Sequence, residues 1–183
     1  MKADDFHIVR IVVVVLIGCV VFPSSVLAAE DSVQKFERFL NDARDATNSG
    51  TVVYFNKYHQ AWTKRRHTVG DIKYDVKKTD SLVNPVLGFV TLSLVTEQTE
   101  FFPTKEEAAN ASAFIPAGKT LYRISLTYFY KENNKWLFSQ GKYEMLLPAP
   151  PTGRGITSEV TEQEIQKDPT ALPMSALMYW LPK

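Results

Sequence analysis

The chain has 183 residues, with 21 Lys and Arg against 20 Asp and Glu and a formal net charge of +1. That balance excludes a global pull toward nucleic acid or acidic membranes, and 45% hydrophobic residues exclude a chain too polar to fold. Cys19 is the only cysteine, so no intrachain disulfide is available, and a cut beyond it would leave none for metal ligation or thiol chemistry.

The first 29 residues read as an address. Lys2 and Arg10 flank an apolar run from Ile11 to Phe22, and Pro23, Ser24 and Ser25 follow it. Val26-Leu27-Ala28-Ala29 then sets small residues at a cleavage spacing, so residues 1–29 are predicted to be a secretory signal peptide cut after Ala28 or Ala29. The run is shorter than the roughly 20 residues a spanning helix needs. A second route rests on Leu16-Ile17-Gly18-Cys19, which resembles a bacterial lipobox and would acylate Cys19. Retention as an uncleaved anchor is the third. The location implied is periplasmic or secreted, with a lipid-anchored envelope protein as the alternative. Cleavage removes two charges of each sign and leaves about 154 residues, enough to bury roughly 70% of the surface in one domain.

Asp31 to Thr47 follows with Val33, Phe36, Leu40 and Ala43 at helical intervals, widened by Phe39. Asp31 or Ser32 caps its start and Asn48-Ser49-Gly50 stops it. Lys35, Glu37, Arg38, Asp42 and Asp45 form the polar face, which suits a helix laid on a core. Thr51 to His67 reads as a strand through Val52-Val53-Tyr54-Phe55, although Tyr58, Ala61 and Trp62 keep helical spacing. From Val69 the period is two, with Ile72, Tyr74 and Val76 opposite Lys73, Asp75 and Lys77. A loop at Asp80, Ser81, Asn84 and Pro85 precedes a strand in which Val90, Leu92 and Leu94 alternate with Thr91 and Ser93.

Thr104-Lys105-Glu106-Glu107 is a capping box opening a short helix over Lys105 to Ala111. Tyr122, Ile124, Leu126, Tyr128 and Tyr130 then share a strand face. Glu132-Asn133-Asn134-Lys135 predicts a tight hairpin into an antiparallel strand from Trp136 to Leu147, where Gly141 suggests a bulge or bend. Residues 30–147 form the predicted domain, and 148–183 a linker and tail. Pro148 to Gly153 is the proline-rich linker, Thr157 to Lys167 is mildly helical, and Leu172 to Pro182 is an apolar tail.

The expected class is α+β: an N-terminal amphipathic helix on a curved antiparallel sheet of four to five strands, with a proline-linked C-terminal tail. This order of elements, from Asp31 to Leu147, resembles the cystatin-like and NTF2-like layouts. The likeness is one of element order, with no residue motif, so it implies no functional residue.

No catalytic residue, metal ligand or cofactor site is predicted. His59 and His67 lie eight apart with no acid between them and read as surface histidines. There is no Gly-x-Ser-x-Gly elbow, phosphate-cradling glycine loop or His-Glu-x-x-His pair. An NTF2-like enzyme would pair an acid with a tyrosine, and Asp75 with Tyr74, Tyr128 or Tyr143 is the set on offer, but Asp75 alternates toward solvent. Lys64-Arg65-Arg66-His67 with Lys73, Lys77 and Lys78, near Tyr54, Tyr58 and Trp62, reads as a solvated strand edge. Asn110-Ala111-Ser112 matches a glycosylation triplet.

Apolar residues in polar settings are the remaining signal. Leu82 and Val83 sit inside a polar turn, and Met174, Leu177, Tyr179 and Trp180 fill the tail. These six are the candidate partner-binding residues, with fold-back of the tail expected over docking. The sequence therefore predicts an exported, non-catalytic binding or assembly module of the bacterial envelope. Its expected partner is another envelope protein, without nucleic acid, and with membrane contact only through the signal segment or a lipid on Cys19. The alternative is a small NTF2-like enzyme or carrier with a pocket at the open end of the sheet.

Overall fold

The computed structural model describes residues 24–84, 86–131, 135–147 and 156–183, with the side chains of 24–30, 116–118, 147 and 156 left aside. The predicted signal run, Cys19, the hairpin connection at 132–134 and the proline-rich linker lie outside the described residues. The chain forms two compact units, Met1–Gln34 and Lys35–Lys183. The sheet belongs wholly to the second.

Helix α1 spans Ser24–Ser49. Within the second unit it buries Phe36, Leu40, Ala43 and Thr47, the positions that helical spacing places on one stripe. The helix ends where Ser49 Oγ donates to Asp45 O (2.8 Å) and Gly50 N to Ala46 O (3.0 Å). Strand β1 (Thr51–Asn56) turns into β2 (Ala61–Lys78) through Lys57–Gln60. There Asn56 Oδ1 accepts from the backbone N–H groups of Tyr58 (2.9 Å) and His59 (3.1 Å), and Gln60 takes φ 50°. The segment read as one strand from Thr51 to His67 is thus a hairpin. A side-chain turn with no glycine or proline hid the reversal.

Strands β3 (Val86–Gln98), β4 (Ile115–Tyr130), β5 (Trp136–Leu147) and β6 (Ile156–Val160) complete a six-stranded antiparallel meander in the order β1-β2-β3-β4-β5-β6. The result is α+β, one helix on a curled antiparallel sheet, with six strands in place of four or five. Besides the β1 turn, the sixth strand makes the difference. It takes the first residues of Thr157 to Lys167, read as mildly helical, while Glu162–Lys167 is helix; five residues are too few to show a period of two. Val160 pairs with Gly141, and a Cβ on Gly141 would stand 2.8 Å from Val160 Cγ1 and 3.0 Å from Leu126 Cδ2. That glycine makes room for the sixth strand, beside a register shift between the Thr127–Gln140 and Tyr128–Phe138 pairs.

A second irregularity bends β2. Val69 pairs with Leu94 and Ile72 with Leu92, so Gly70 and Asp71 together oppose Ser93. Gly88 opens the sheet to the helix: a Cβ there would lie 2.5 Å from Phe36 Cζ. Phe36 fills that gap, 4.3 Å from the Trp136 ring and 5.5 Å from Tyr128 between centroids.

Two short helices carry capping boxes. In α2 (Lys105–Asn110) Thr104 and Glu107 bond each other's backbone, as the sequence predicts, and Thr161 with Glu164 does the same for α3 (Glu162–Lys167). After α3 come α4 (Met174–Leu177) and a 3-10 turn, Met178–Trp180. Ala176, Leu177 and Trp180 are buried in the core with Phe36, Leu40, Ile124 and Leu126. The tail folds back, and it belongs to the same compact unit as the sheet.

Candidate functional site

Side chains alternate along a strand, and β2 uses this to turn Thr63, Arg65 and His67 inward while Arg66 faces solvent. The basic run is therefore not a solvated edge throughout, and His67 is not a surface histidine. Counting the period of two backward from Val69 finds both residues in the sequence. His59 does lie at the surface, its ring stacked 4.2 Å from Phe101.

The Arg65 guanidinium lies 3.5 Å over the Tyr54 ring, donates to Tyr54 Oη, and donates through Nη1 to the carbonyl of Thr170 (3.0 Å). Its Nε is buried without a partner. Burial pulls the guanidinium below its ordinary value, opposed by Tyr54 and Tyr122. His67 places Nδ1 3.0 Å from Thr96 Oγ1 and Nε2 3.0 Å from Ser175 Oγ. Burial first and Arg65 second pull its pKa to about 4, so the ring is neutral at pH 7. Burial pushes Tyr122 up to about 12, lowered somewhat by Arg65 and raised further by Tyr143.

The same network fastens the tail. Arg65 holds Thr170, His67 holds Ser175, Tyr128 Oη donates to Trp180 O (2.9 Å), and Trp180 Nε1 donates to Thr47 Oγ1 (3.1 Å). Thr47 Oγ1 in turn donates a hydrogen bond to Ala43 O (2.7 Å). The four bonds from the tail tie it to β2 twice, to β4 and to α1, and Trp180 is fixed at both its ring N–H and its backbone carbonyl. A Ser175–His67 pair with a neutral imidazole has the makings of an activated hydroxyl. Here both groups are closed off from solvent, and a threonine hydroxyl rather than a carboxylate meets the second ring nitrogen. What the pair does in place is hold α4 to β2.

The sequence-predicted residues part company. Leu177 and Trp180 are spent on the interior, beyond the reach of a partner while the tail is seated. Met174 and Tyr179 are half-buried against the core. Leu82 and Val83 stand out at the β2–β3 turn, 96% and 80% exposed. Asp75 is exposed and paired with Lys77 (3.2 Å), while Tyr74 donates its hydroxyl to the Glu37 carboxylate, which raises its pKa.

One surface feature was not read from the sequence. Between α1 and the tail lies a groove of about 500 Å³, with Phe39, Met178, Tyr179 and Leu181 among its lining and Arg38 and Asp42 at its edge. Its signal was the apolar Met178 and Leu181 flanking Tyr179, residues separable from Leu177 and Trp180 only once the turn is known. Among the described residues no helix is long and apolar enough to cross a membrane, and no three His, Cys, Asp or Glu gather as metal ligands would. No family model matches the chain, and neither a curated protein nor a solved structure gives a match to it.

Proposed function

We propose that this is an exported, non-catalytic binding or assembly module that works through its surface. The observation that carries the reading is the filled interior: Phe36, Leu40, Ile124 and Leu126 occupy the space over the sheet where a ligand chamber would be. The candidate contact surface is the groove holding Tyr179 and Met178, apolar at its base and charged at its edge, as protein interfaces are. The expected occupant is a segment of another envelope protein. Export itself rests on the leader pattern.

A photoreactive residue at Asp42, exposed and part of the same lining, tests this in the native envelope, with Met178, which is 37% exposed, left for substitution. A single crosslinked protein, lost with Met178→Glu while the unfolding midpoint stays put, is the expected outcome. No crosslink, or one unaffected by Met178→Glu, removes the groove from the proposal.

The second reading, a small enzyme or carrier of cystatin-like or NTF2-like layout, draws support from one helix ahead of a curled meander and from Arg65, His67 and Tyr122 turned into the sheet's inner face. It requires the tail to lift so that those side chains meet a ligand. Binding of any small molecule abolished by Tyr122→Phe would favour it over the surface reading.

A further inference from the structure

The hairpins β2–β3 and β4–β5 turn at the same end of the sheet, because Lys78 pairs with Val86, Val86 with Tyr130 and Tyr130 with Trp136. Leu82 and Val83 project there from a loop that bonds part of its backbone to its own hydroxyls. Thr79 Oγ1 donates to Asn84 O (2.6 Å) and accepts from Ser81 N (3.2 Å). Ser81 Oγ accepts from Val83 N (3.3 Å) and Asn84 N (3.1 Å). The groups bonded in this way keep their partners when the tip leaves water.

Cations surround it. Lys77 and Lys78 lead into the loop, and Lys131 and Lys135 flank the neighbouring turn, joined by a backbone bond of 3.0 Å. On the outer face Leu87, Phe129 and Leu137 pair across three strands, with Phe89 beside them. Lys77 Nζ and Lys131 Nζ lie over the Phe89 and Phe129 rings, 5.6 and 5.7 Å from their centres, so cations and aromatic rings share this face. The acids at this end are Asp75, tied to Lys77, with Asp80 and Glu132, three against the five lysines Lys35, Lys77, Lys78, Lys131 and Lys135. Lys35, the first residue of this unit, is at the same end, donating to Tyr130 Oη (3.4 Å).

We infer that this end of the sheet docks on an anionic phospholipid surface, Leu82 and Val83 entering the headgroup–acyl boundary and the lysines meeting the headgroups. A narrow aliphatic tip ringed by lysines offers too small a flat area for a stable protein interface, whereas a bilayer takes an inserted tip and a cationic collar together. The proposal concerns a surface separate from the Met178 groove and stands or falls without it.

The test is sedimentation of the full chain with vesicles of phosphatidylglycerol in phosphatidylcholine, and with phosphatidylcholine alone. Wild type is compared with Leu82→Asp/Val83→Asp and with Lys131→Glu/Lys135→Glu. All three share the N-terminal segment, so differences between them report the tip. Wild type is expected to partition about tenfold better onto the anionic vesicles, the aspartate pair to lose about tenfold there, and the glutamate pair to erase the preference between lipids. Near-UV dichroism unchanged among the three confirms the fold. Equal partition of wild type and the aspartate variant overturns the proposal. So does a wild type indifferent to lipid charge, or a protein captured through Leu82 with vesicle binding untouched.

Discussion

His67 sets how stability depends on acidity. Its ring is neutral and doubly hydrogen-bonded in the fold, with a pKa of about 4 against an ordinary value of 6.5. Between those values the unfolded chain binds a proton that the folded one refuses, so unfolding becomes more favourable as pH falls. Stability is therefore complete above pH 6.5 and declines toward pH 4, by an amount on the order of 3 kcal/mol at most. Urea midpoints measured from pH 7 to pH 4 check this, and His67→Gln, which titrates nowhere in the range, is expected to flatten the slope. A slope unchanged in that variant would assign the effect to other groups. Arg65 and His67 also mark a limit of reading residues singly. Four consecutive basic residues look like a solvated face, but pleating sends alternate members inside, where tyrosine, threonine and serine partners from distant segments receive them. The alternation was visible; the partners were not, since Thr96, Thr170 and Ser175 carry no pattern of their own.

At the scale of elements, the helix and the sheet meet through a missing side chain. Gly88→Ala puts a methyl group against Phe36, an overpacking that costs about 1–3 kcal/mol in unfolding free energy. Adding Phe36→Leu should cost less in the Gly88→Ala background than in the parent, a coupling that a double-mutant cycle measures. The tail gives a larger effect. Trp180→Ala removes a buried indole and its bond to Thr47, for about 3–5 kcal/mol, and Trp180→Phe isolates the lost hydrogen bond at about 1 kcal/mol. Deleting Pro169 to Lys183 is expected to raise binding of an apolar dye, as it uncovers Tyr128 and leaves His67 without Ser175. Long alternating elements were the legible ones: Val90, Leu92 and Leu94, and Tyr122 through Tyr130, lie inside as their spacing demands. The stripe of Phe36, Leu40 and Ala43 was equally plain. Among the short elements the capping box made α2 legible, whereas β6 and the 57–60 turn were not, because β6 owes its form to its pairing partner and the turn to the Asn56 side chain.

For the molecule as a whole, the second unit contains no cysteine, so its thermal unfolding midpoint should be the same with and without reductant. A shift would point to a crosslink through Cys19. Mass spectrometry of the protein recovered from its native compartment is expected to find an N-terminus at Ala29 or Glu30, and an acylated Cys19 terminus would replace that route. The one-helix, antiparallel-sheet architecture followed from the order of patterns in the sequence, and the tail's return followed from its grease. Which surface meets a partner did not, since exposure is decided only when the last turn has folded.

The paired residues Gly70 and Asp71 opposite Ser93 have a consequence for the chain's tolerance of length change. On β2 the inward residues are odd-numbered up to Val69 and even-numbered from Ile72, a phase slip absorbed at this one spot. Removing Asp71 should merely straighten the ribbon there, and the trimmed chain is expected to keep its near-UV spectrum. Removing Lys73 instead would swap Tyr74 and Val76 with their outward neighbours, turning a greasy side to water and sinking solubility. A strand with a slack link built into it can lose one residue at that link and nowhere else.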